Sequence, residues 1–303
     1  MIFKYSQLKK RISYDESTRI LKKHNIMHWG QLKLFLSELL YYSMFSDKPY
    51  TILYVGAAEG THTAKLAEMF PRNKFVLYDP RKFVMEKRSN VELHNMLFTD
   101  EEARKYVGKG DNILFLSDIR TADYGESAKR DYSEESDAMI YQDMQYQIDW
   151  VRLIKPKMAL LKFRTMYVQK EFKYLTGKIF LQHYSPASTE TRLLTGDYHD
   201  MKTYNSVEFD ERMAYYNCCI RPVVKSKRWS GVMKKLGVKN TLDMAMMLYI
   251  IEYYLVKVKG MVKGESDEEV MRMFGNIGSF FKKMNATKYA NLFETEKAFI
   301  VSH

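Results

Sequence analysis

Four apolar runs in this chain each end on a residue that could meet a ligand. Thr51–Val55 ends at Gly56, Lys74–Tyr78 at Asp79, Asn112–Leu116 at Ser117-Asp118, and Met158–Leu161 at Lys162. In an open sheet of parallel strands, ligands bind at the carboxyl ends. These four residues are therefore expected around one crevice. The loop Val55-Gly56-Ala57-Ala58-Glu59-Gly60-Thr61-His62 lies between a strand pattern and a helix pattern. Glycine there lets the backbone approach a ligand, and the following helix offers free N–H groups. Asp79, at the end of the next strand, suits the two hydroxyls of a ribose. Together they fit a dinucleotide or S-adenosylmethionine. Gly-x-x-x-Gly is not the dinucleotide spacing. Glu59 would also repel a pyrophosphate but not a sulfonium carrying an amino acid tail, which favours S-adenosylmethionine. A purely structural strand-to-helix turn would give the same pattern.

Two lysines and two carboxylates stand out beside this crevice. Lys162 and Asp118 end apolar runs, Lys33 lies on an amphipathic stretch after Gly30-Gln31-Leu32, and Glu190 lies in Ser188-Thr-Glu-Thr-Arg-Leu-Leu194. The plain explanation for a lysine at a buried strand end is an ion pair with Asp118.

The elements that must position these groups alternate. The four runs, with Ile179–His183 and a late run Ala214–Ile220, read as strands; Thr61–Phe70, Asp100–Val107 and Ser136–Ile154 read as helices. Such alternation predicts an α/β fold, Rossmann-like, with a mostly parallel sheet and helices on both faces. Gln31–Phe45 reads as a helix with Leu32, Phe35, Leu36, Leu39 and Leu40 on one face, and Thr241–Lys259 and Ser266–Met284 as two more. Thr241 and a capping box from Ser266 to Glu269 would start the last two. No composition break divides the 303 residues, so one domain over 1–303 is expected: an N-terminal helical segment at 1–48, a core sheet at 49–225 and terminal helices at 226–303.

Composition narrows the function. With 46% hydrophobic and 28% charged residues the chain is neither disordered nor fibrous. Two adjacent cysteines, Cys218 and Cys219, leave no disulfide scaffold or cysteine-rich zinc site, and no metal-ligand cluster is evident. The most apolar window, Leu242–Val256, is broken by Asp243 and Glu252, so no membrane span is expected. The start, Met1-Ile2-Phe3-Lys4, lacks the apolar core of a signal peptide. Lysine and arginine outnumber acidic residues 48 to 37, a net charge of +11, and residues 221–303 supply +7 of it from 15 basic and 8 acidic residues. Such an excess favours a polyanion, nucleic acid before membrane.

Five motifs, in order, carry a resemblance: Gly30-Gln-Leu-Lys-Leu-Phe-Leu-Ser-Glu-Leu39, the Gly56–His62 loop, Leu116-Ser-Asp-Ile-Arg120, Leu161-Lys-Phe-Arg164 and Thr189-Glu-Thr-Arg-Leu-Leu194. Over roughly residues 12–285 the chain resembles the poxvirus family of cap-specific mRNA nucleoside 2′-O-methyltransferases, which also serve as the small subunit of the viral poly(A) polymerase. More distantly it is similar to FtsJ-like ribosomal RNA methyltransferases. The resemblance implies a catalytic tetrad of Lys33, Asp118, Lys162 and Glu190. It implies an S-adenosylmethionine pocket including Gln31, Gly56, Ala57, Gly60, His62, Asp79, Arg81, Phe98, Thr99 and Asp118. Glu59 stands where the family has proline, and the family's long basic tail is not matched. A viral source, and with it the host cytoplasm or virion, follows only from the resemblance.

The implied chemistry suits these residue types. A ribose 2′-hydroxyl must lose its proton as it attacks a methyl group, and a neutral lysine can take it. An ordinary lysine titrates near 10.4, so a neutral Lys162 needs about 4 kcal/mol from burial and a nearby cation such as Lys33. For the cap, Tyr14 and Tyr167 fall at positions that stack on 7-methylguanine, Asp210 at an acidic edge contact, and Gln169 where the family has a second carboxylate. Arg120, Arg164 and Arg192 are candidates for RNA phosphates, with ion pairing inside the fold as an equal account. A poly(A) polymerase catalytic subunit is the implied protein partner. A non-catalytic RNA-gripping subunit, or a cap-independent ribosomal or transfer RNA methyltransferase, remains the alternative.

Overall fold

Strand residues that alternate between two apolar layers make the framework, and helices cover both layers. The computed structural model describes residues 4–21, 29–121 and 133–284. In chain order the elements begin with α1 (Tyr14–Leu21), α2 (Gly30–Met44), β1 (Thr51–Val55), α3 (Thr61–Met69), β2 (Lys74–Tyr78), β3 (Val91–His94) and α4 (Asp100–Arg104). Next come β4 (Ile113–Ser117), α5 (Glu134–Ile154), β5 (Met158–Phe163), β6 (Glu171–Leu175), β7 (Lys178–Phe180), β8 (Thr191–Thr195) and β9 (Met201–Asn205). Last are α6 (Ser206–Tyr215), a π-helical turn at Tyr216–Ile220, α7 (Ser230–Leu236), α8 (Leu242–Lys257) and α9 (Asp267–Met284).

Seven strands form one sheet in the order β3-β2-β1-β4-β5-β8-β7, while β6 and β9 pair separately. Pairing is parallel from β3 to β5, and β8 is antiparallel to both its neighbours. This is the α/β, Rossmann-like architecture expected from the motifs. Strand order reverses between β1 and β4, and such a switch point is where open α/β sheets bind ligands. Successive side chains face opposite ways. Ile52, Tyr54, Phe75, Leu77, Leu114, Leu116 and Leu160 therefore join a core with α2, α3, α8 and α9. Leu53, Val55, Val76, Phe115, Ala159, Leu161 and Phe163 join a second core beneath α5, α6 and the small sheet.

Three expectations are corrected. Ala214–Ile220 is not a strand but the end of α6 and the π-helical turn. A short run of Tyr, Cys and Ile has no period that separates strand from buried helix. The strand expected over Ile179–His183 stops at Phe180, after which Gln182 and His183 turn into the interior as buried polar side chains. Thr241 does cap α8, accepting from the Met244 N–H, but the capping box at Ser266 does not form. Glu269 pairs with Arg272 instead, and among the described residues the Ser266 hydroxyl has no hydrogen-bond partner.

Candidate active site

Between the ends of β1, β2 and β4 lies a cavity of about 1000 Å3. Its walls include Gly56, Asp79, Arg81, Leu97, Phe98, Thr99, Asp118, Ile119 and Trp150. Gly56 is required at the switch point. Its φ is +79°, and a Cβ there would stand 2.8 Å from the Asp118 carbonyl carbon. The loop that follows is braced by Asp79, whose carboxylate accepts from the Ala58 N–H at 2.7 Å and from the Arg81 N–H at 2.9 Å. The Arg81 side chain closes the same carboxylate at 3.1 Å. Each Asp79 oxygen thus accepts two protein donors, Oδ1 from the Arg81 N–H and Nε and Oδ2 from the Ala58 N–H and Arg81 Nη2. Thr99 caps α4 through the Glu102 N–H, which fixes the Phe98–Asp100 edge.

Ala57, Gly60, Gln31 and His62 do not line this cavity. Ala57 and Gly60 are buried in the loop, Gly60 beneath Met85 and Phe83. His62 lies in the interior between the Gln31 and Glu38 side chains, each at 2.8 Å. The Gln31–His62 contact ties α2 to α3 just behind the loop, so these two stand as its support.

Beside the cavity, three cationic side chains share two carboxylates. Lys33 Nζ, delivered by α2, donates to Glu190 at 2.8 Å. Lys162 Nζ, at the end of β5, lies 3.0 Å from Asp118 and 3.8 Å from Glu190. Arg192 comes from β8, directly opposite Lys162 in the antiparallel register. Its side chain is only 4% exposed, and it donates to Asp118 at 2.9 Å and Glu190 at 3.3 Å. Burial opposes ionisation of both carboxyls, but the surrounding cations win. Arg192 and Lys162 hold Asp118 below its ordinary range, and Lys162, Lys33 and Arg192 hold Glu190 well below it. The tetrad residues therefore converge, and so does Arg192. Its expected role as a phosphate contact gives way to the ion-pairing account, since its side chain is buried and used up by the two carboxylates.

A second, smaller cleft adjoins the first. Ile119 and Arg120 line both, and Lys162, Arg164, Glu190, Asp143 and Gln147 complete the smaller one. Asp143, not singled out from the sequence, accepts from the Thr121 N–H and hydroxyl, and burial raises its pKa. Nothing in a lone aspartate on α5 marked it beforehand. Beyond the cleft, the Arg164 guanidinium covers one face of Tyr167 at 4.2 Å. The Tyr167, Val168 and Gln169 N–H groups all donate to buried Asp137, which fixes that loop. Gln169 itself is exposed. Asp210 accepts from the Thr165 hydroxyl at 2.5 Å, and burial pushes its pKa up to about 6. Tyr14 opens α1, but its side chain lies outside the described residues.

A mostly parallel α/β sheet with a ligand-sized cavity at its switch point, flanked by a lysine–carboxylate cluster, defines a Rossmann-like enzyme fold. More particularly, the chain belongs to the poly(A) polymerase regulatory subunit family, whose model matches residues 2–258. It is 27% identical, over 240 residues, to the cap-specific mRNA (nucleoside-2′-O-)-methyltransferases of Myxoma virus strains Lausanne and Uriarra, across 72% of this chain and 69% of each relative. Among solved structures it is similar to VP4 of bluetongue virus, described as a multifunctional RNA-capping production line. That likeness has a TM-score of 0.43 at 16% identity and covers 64% of this chain and 36% of VP4. A putative ribosomal RNA methyltransferase from Plasmodium falciparum matches with a TM-score of 0.34 at 16% identity, over 58% of this chain and 97% of the other.

Proposed function

We propose that this chain methylates the ribose 2′-hydroxyl of the first transcribed nucleotide of capped mRNA, using S-adenosylmethionine, with Lys162 as general base. The observation that carries this reading is the Asp118–Lys162 contact, where the larger cavity meets the smaller cleft. A donor in one and an acceptor ribose in the other would meet at Lys162 Nζ. The names of the Myxoma virus relatives point the same way.

The larger cavity fits the donor. Leu97, Phe98, Ile119 and Trp150 offer an apolar wall for a purine, and Asp79 and Asp118 suit hydroxyls and a cationic sulfonium. Gly56, lacking a Cβ, lets the Asp118–Ile119 backbone pack against it and lines the cavity at the switch point. When bound, S-adenosylmethionine supplies an electrophilic methyl group. The chain's own residues then manage the proton. Lys33, Lys162 and Arg192 face Asp118 and Glu190 in direct contact, three cations to two anions. Loss of one lysine proton makes the cluster neutral, so an uncharged Lys162 leaves no unpaired carboxylate. As the hydroxyl oxygen bonds to the methyl carbon and the methyl–sulfur bond breaks, its electron pair staying on sulfur as a thioether, the hydroxyl proton would pass to Lys162 Nζ. Glu190 holds Lys33 and Asp118 holds Lys162 for an in-line attack, where positioning carries much of the rate.

Tyr167, beside the Arg164 guanidinium, is the aromatic that would stack on 7-methylguanine, and Asp210 the carboxyl that would meet the cationic base at its edge. Arg120 and Arg164, at the cleft, are the phosphate contacts. The family description also supports a second role, as the regulatory partner of a poly(A) polymerase catalytic chain; co-purification with that chain tests it. Among the described residues no helix is long and apolar enough to cross a membrane. The deciding experiment is radiolabelled methyl transfer onto capped and uncapped RNA, followed by nucleoside analysis. Label on the first ribose of capped RNA is expected. Label on a base, or equal transfer to uncapped RNA, overturns the reading.

A further inference from the structure

We propose that Arg221, together with Asn217, positions the Lys33–Glu190 pair through the segment 181–190. The inference rests on the reading of Lys33 and Glu190 as active-site residues and adds a support for them that lies outside the site. Segment 181–190 connects β7 to β8 and carries Glu190 at its end. Buried Tyr184 takes a left-handed φ of +56°, a conformation that a tyrosine adopts only where its surroundings impose it.

What imposes it is Arg221. Its side chain is 1% exposed, and its fork is fully used. Nε and Nη2 donate to Asp243, the latter at 2.6 Å, which pins the guanidinium to the first turn of α8. Nη2 also donates to the Ser185 carbonyl at 3.0 Å, and Nη1 to the Ser185 hydroxyl at 3.3 Å and to Asn217 at 2.9 Å. Asn217 in turn donates to the Ser188 carbonyl at 3.2 Å, two residues before Glu190. Asn217 lies within the π-helical turn, and the Arg221 N–H closes that turn on the Tyr216 carbonyl at 3.0 Å. Such turns interrupt an α-helix at an energetic cost and recur where side chains must be re-aimed.

The same segment holds Lys33. The strained Tyr184 carbonyl accepts from the Trp29 N–H at 2.8 Å, and the Trp29 carbonyl accepts from the Lys33 N–H at 2.7 Å. On the next turn Gln182 donates to the Ser37 hydroxyl, which donates to the Lys33 carbonyl. One segment thus fixes the backbone on both sides of Lys33 and just before Glu190, and Arg221 and Asn217 fix the segment. An arginine fork satisfies carbonyl, hydroxyl and carboxylate together, which a lysine ammonium cannot do.

The test compares Arg221→Lys and Asn217→Ala with the parent chain. Arg221→Lys keeps the charge facing Asp243 but loses the fork. Asn217→Ala leaves the Arg221–Asp243 pair in place and releases only the Ser188 carbonyl and one arginine contact. For folded protein, both variants are expected to lose kcat about tenfold or more, with KM for donor and capped RNA changed less than about threefold. Hydrogen exchange at the Trp29 amide should accelerate while exchange in β1 and β4 stays unchanged. Unaltered kcat together with unaltered Trp29 exchange in both variants overturns the proposal. So does acceleration spread evenly over Trp29, β1 and β4, which marks a purely structural role. If the parent chain itself transfers no methyl group, the functional reading fails, and the exchange pattern alone decides whether Arg221 governs this segment.

Discussion

Buried carboxyls in the lysine–carboxylate cluster and at the Thr165 hydroxyl behave in opposite ways. Asp118 and Glu190 are held below their ordinary range, whereas Asp210 is pushed up to about 6. Burial opposes the charged form in all three. The difference is the company: Asp118 and Glu190 share Lys33, Lys162 and Arg192, while Asp210 has two threonine hydroxyls and a more distant Arg164. Charge inside this fold is therefore tolerated where cations outnumber anions and resisted where only hydroxyls answer it. Asp118 and Glu190 stay ionised near neutrality, whereas Asp210 is poised to titrate.

The largest expected effect comes from Lys162→Ala. It removes the proposed proton acceptor, so methyl transfer should fall by roughly 10²- to 10⁴-fold while donor binding, measured directly, survives. Because Lys33 and Arg192 then balance Asp118 and Glu190, the fold should be kept. Substantial turnover in this variant would mean that the base lies elsewhere.

Arg192→Ala should break the comparison from the stability side. It leaves Asp118 and Glu190 buried with fewer partners, and breaking a buried ion pair costs about 3–5 kcal/mol. Denaturant unfolding checks this, and a change under about 1 kcal/mol would show that solvent reaches the cluster. The pH sign follows from the lowered carboxyls. The unfolded chain takes up protons at Asp118 and Glu190 before the folded chain does. Their stabilising contribution is thus complete above the ordinary carboxyl range and is lost as pH falls through their lowered values. Asp79→Ala acts on the donor alone. By loosening the Ala58 loop and Arg81 it should raise the donor dissociation constant about tenfold, the size of one charged hydrogen bond. Isothermal titration with S-adenosylmethionine measures it, and unchanged affinity would reduce Asp79 to a structural brace.

Much of the sheet was legible because β1, β2, β4 and β5 are continuous apolar runs bounded by polar or glycine residues, a signal strong at short range. The weaker strands β3, β6, β8 and β9 were not read. Val91–His94 is only four residues long and Met201–Asn205 is mostly polar and exposed, and their pairing is settled by neighbours rather than by their own pattern. Tetrad convergence could be anticipated only through motif order, since Lys33 and Glu190 are 157 residues apart. Arg192 was visible as a residue but not as a cluster member, because its identity as a fifth charge depends on the β5–β8 register. Gln31 and His62 entered through the resemblance alone, and nothing in their own pattern could show that a hydrogen bond between them ties α2 to α3 behind the cavity.

The smallest expected effect probes the cap side. Asp210 has its folded pKa raised to about 6 from an ordinary 3.8, so its proton leaves at higher pH than in the unfolded chain. This carboxyl therefore favours folding as pH falls from about 6 toward 4, opposite in sign to Asp118 and Glu190. On the proposed cap contact, its effect on ligand binding follows. Above pH 6 the carboxylate attracts the positive ring of 7-methylguanine, and below it the neutral acid does not. If the charged form alone binds, affinity for a 7-methylguanosine cap should weaken roughly tenfold between pH 7 and pH 5. An unmethylated guanosine cap has no ring charge, so the same titration with it should be flat. Asp210→Asn should lower the affinity at pH 7 and flatten the methylated curve too. A methylated-cap affinity constant across this range, or a slope that persists in the asparagine variant, would assign the edge contact to some other group.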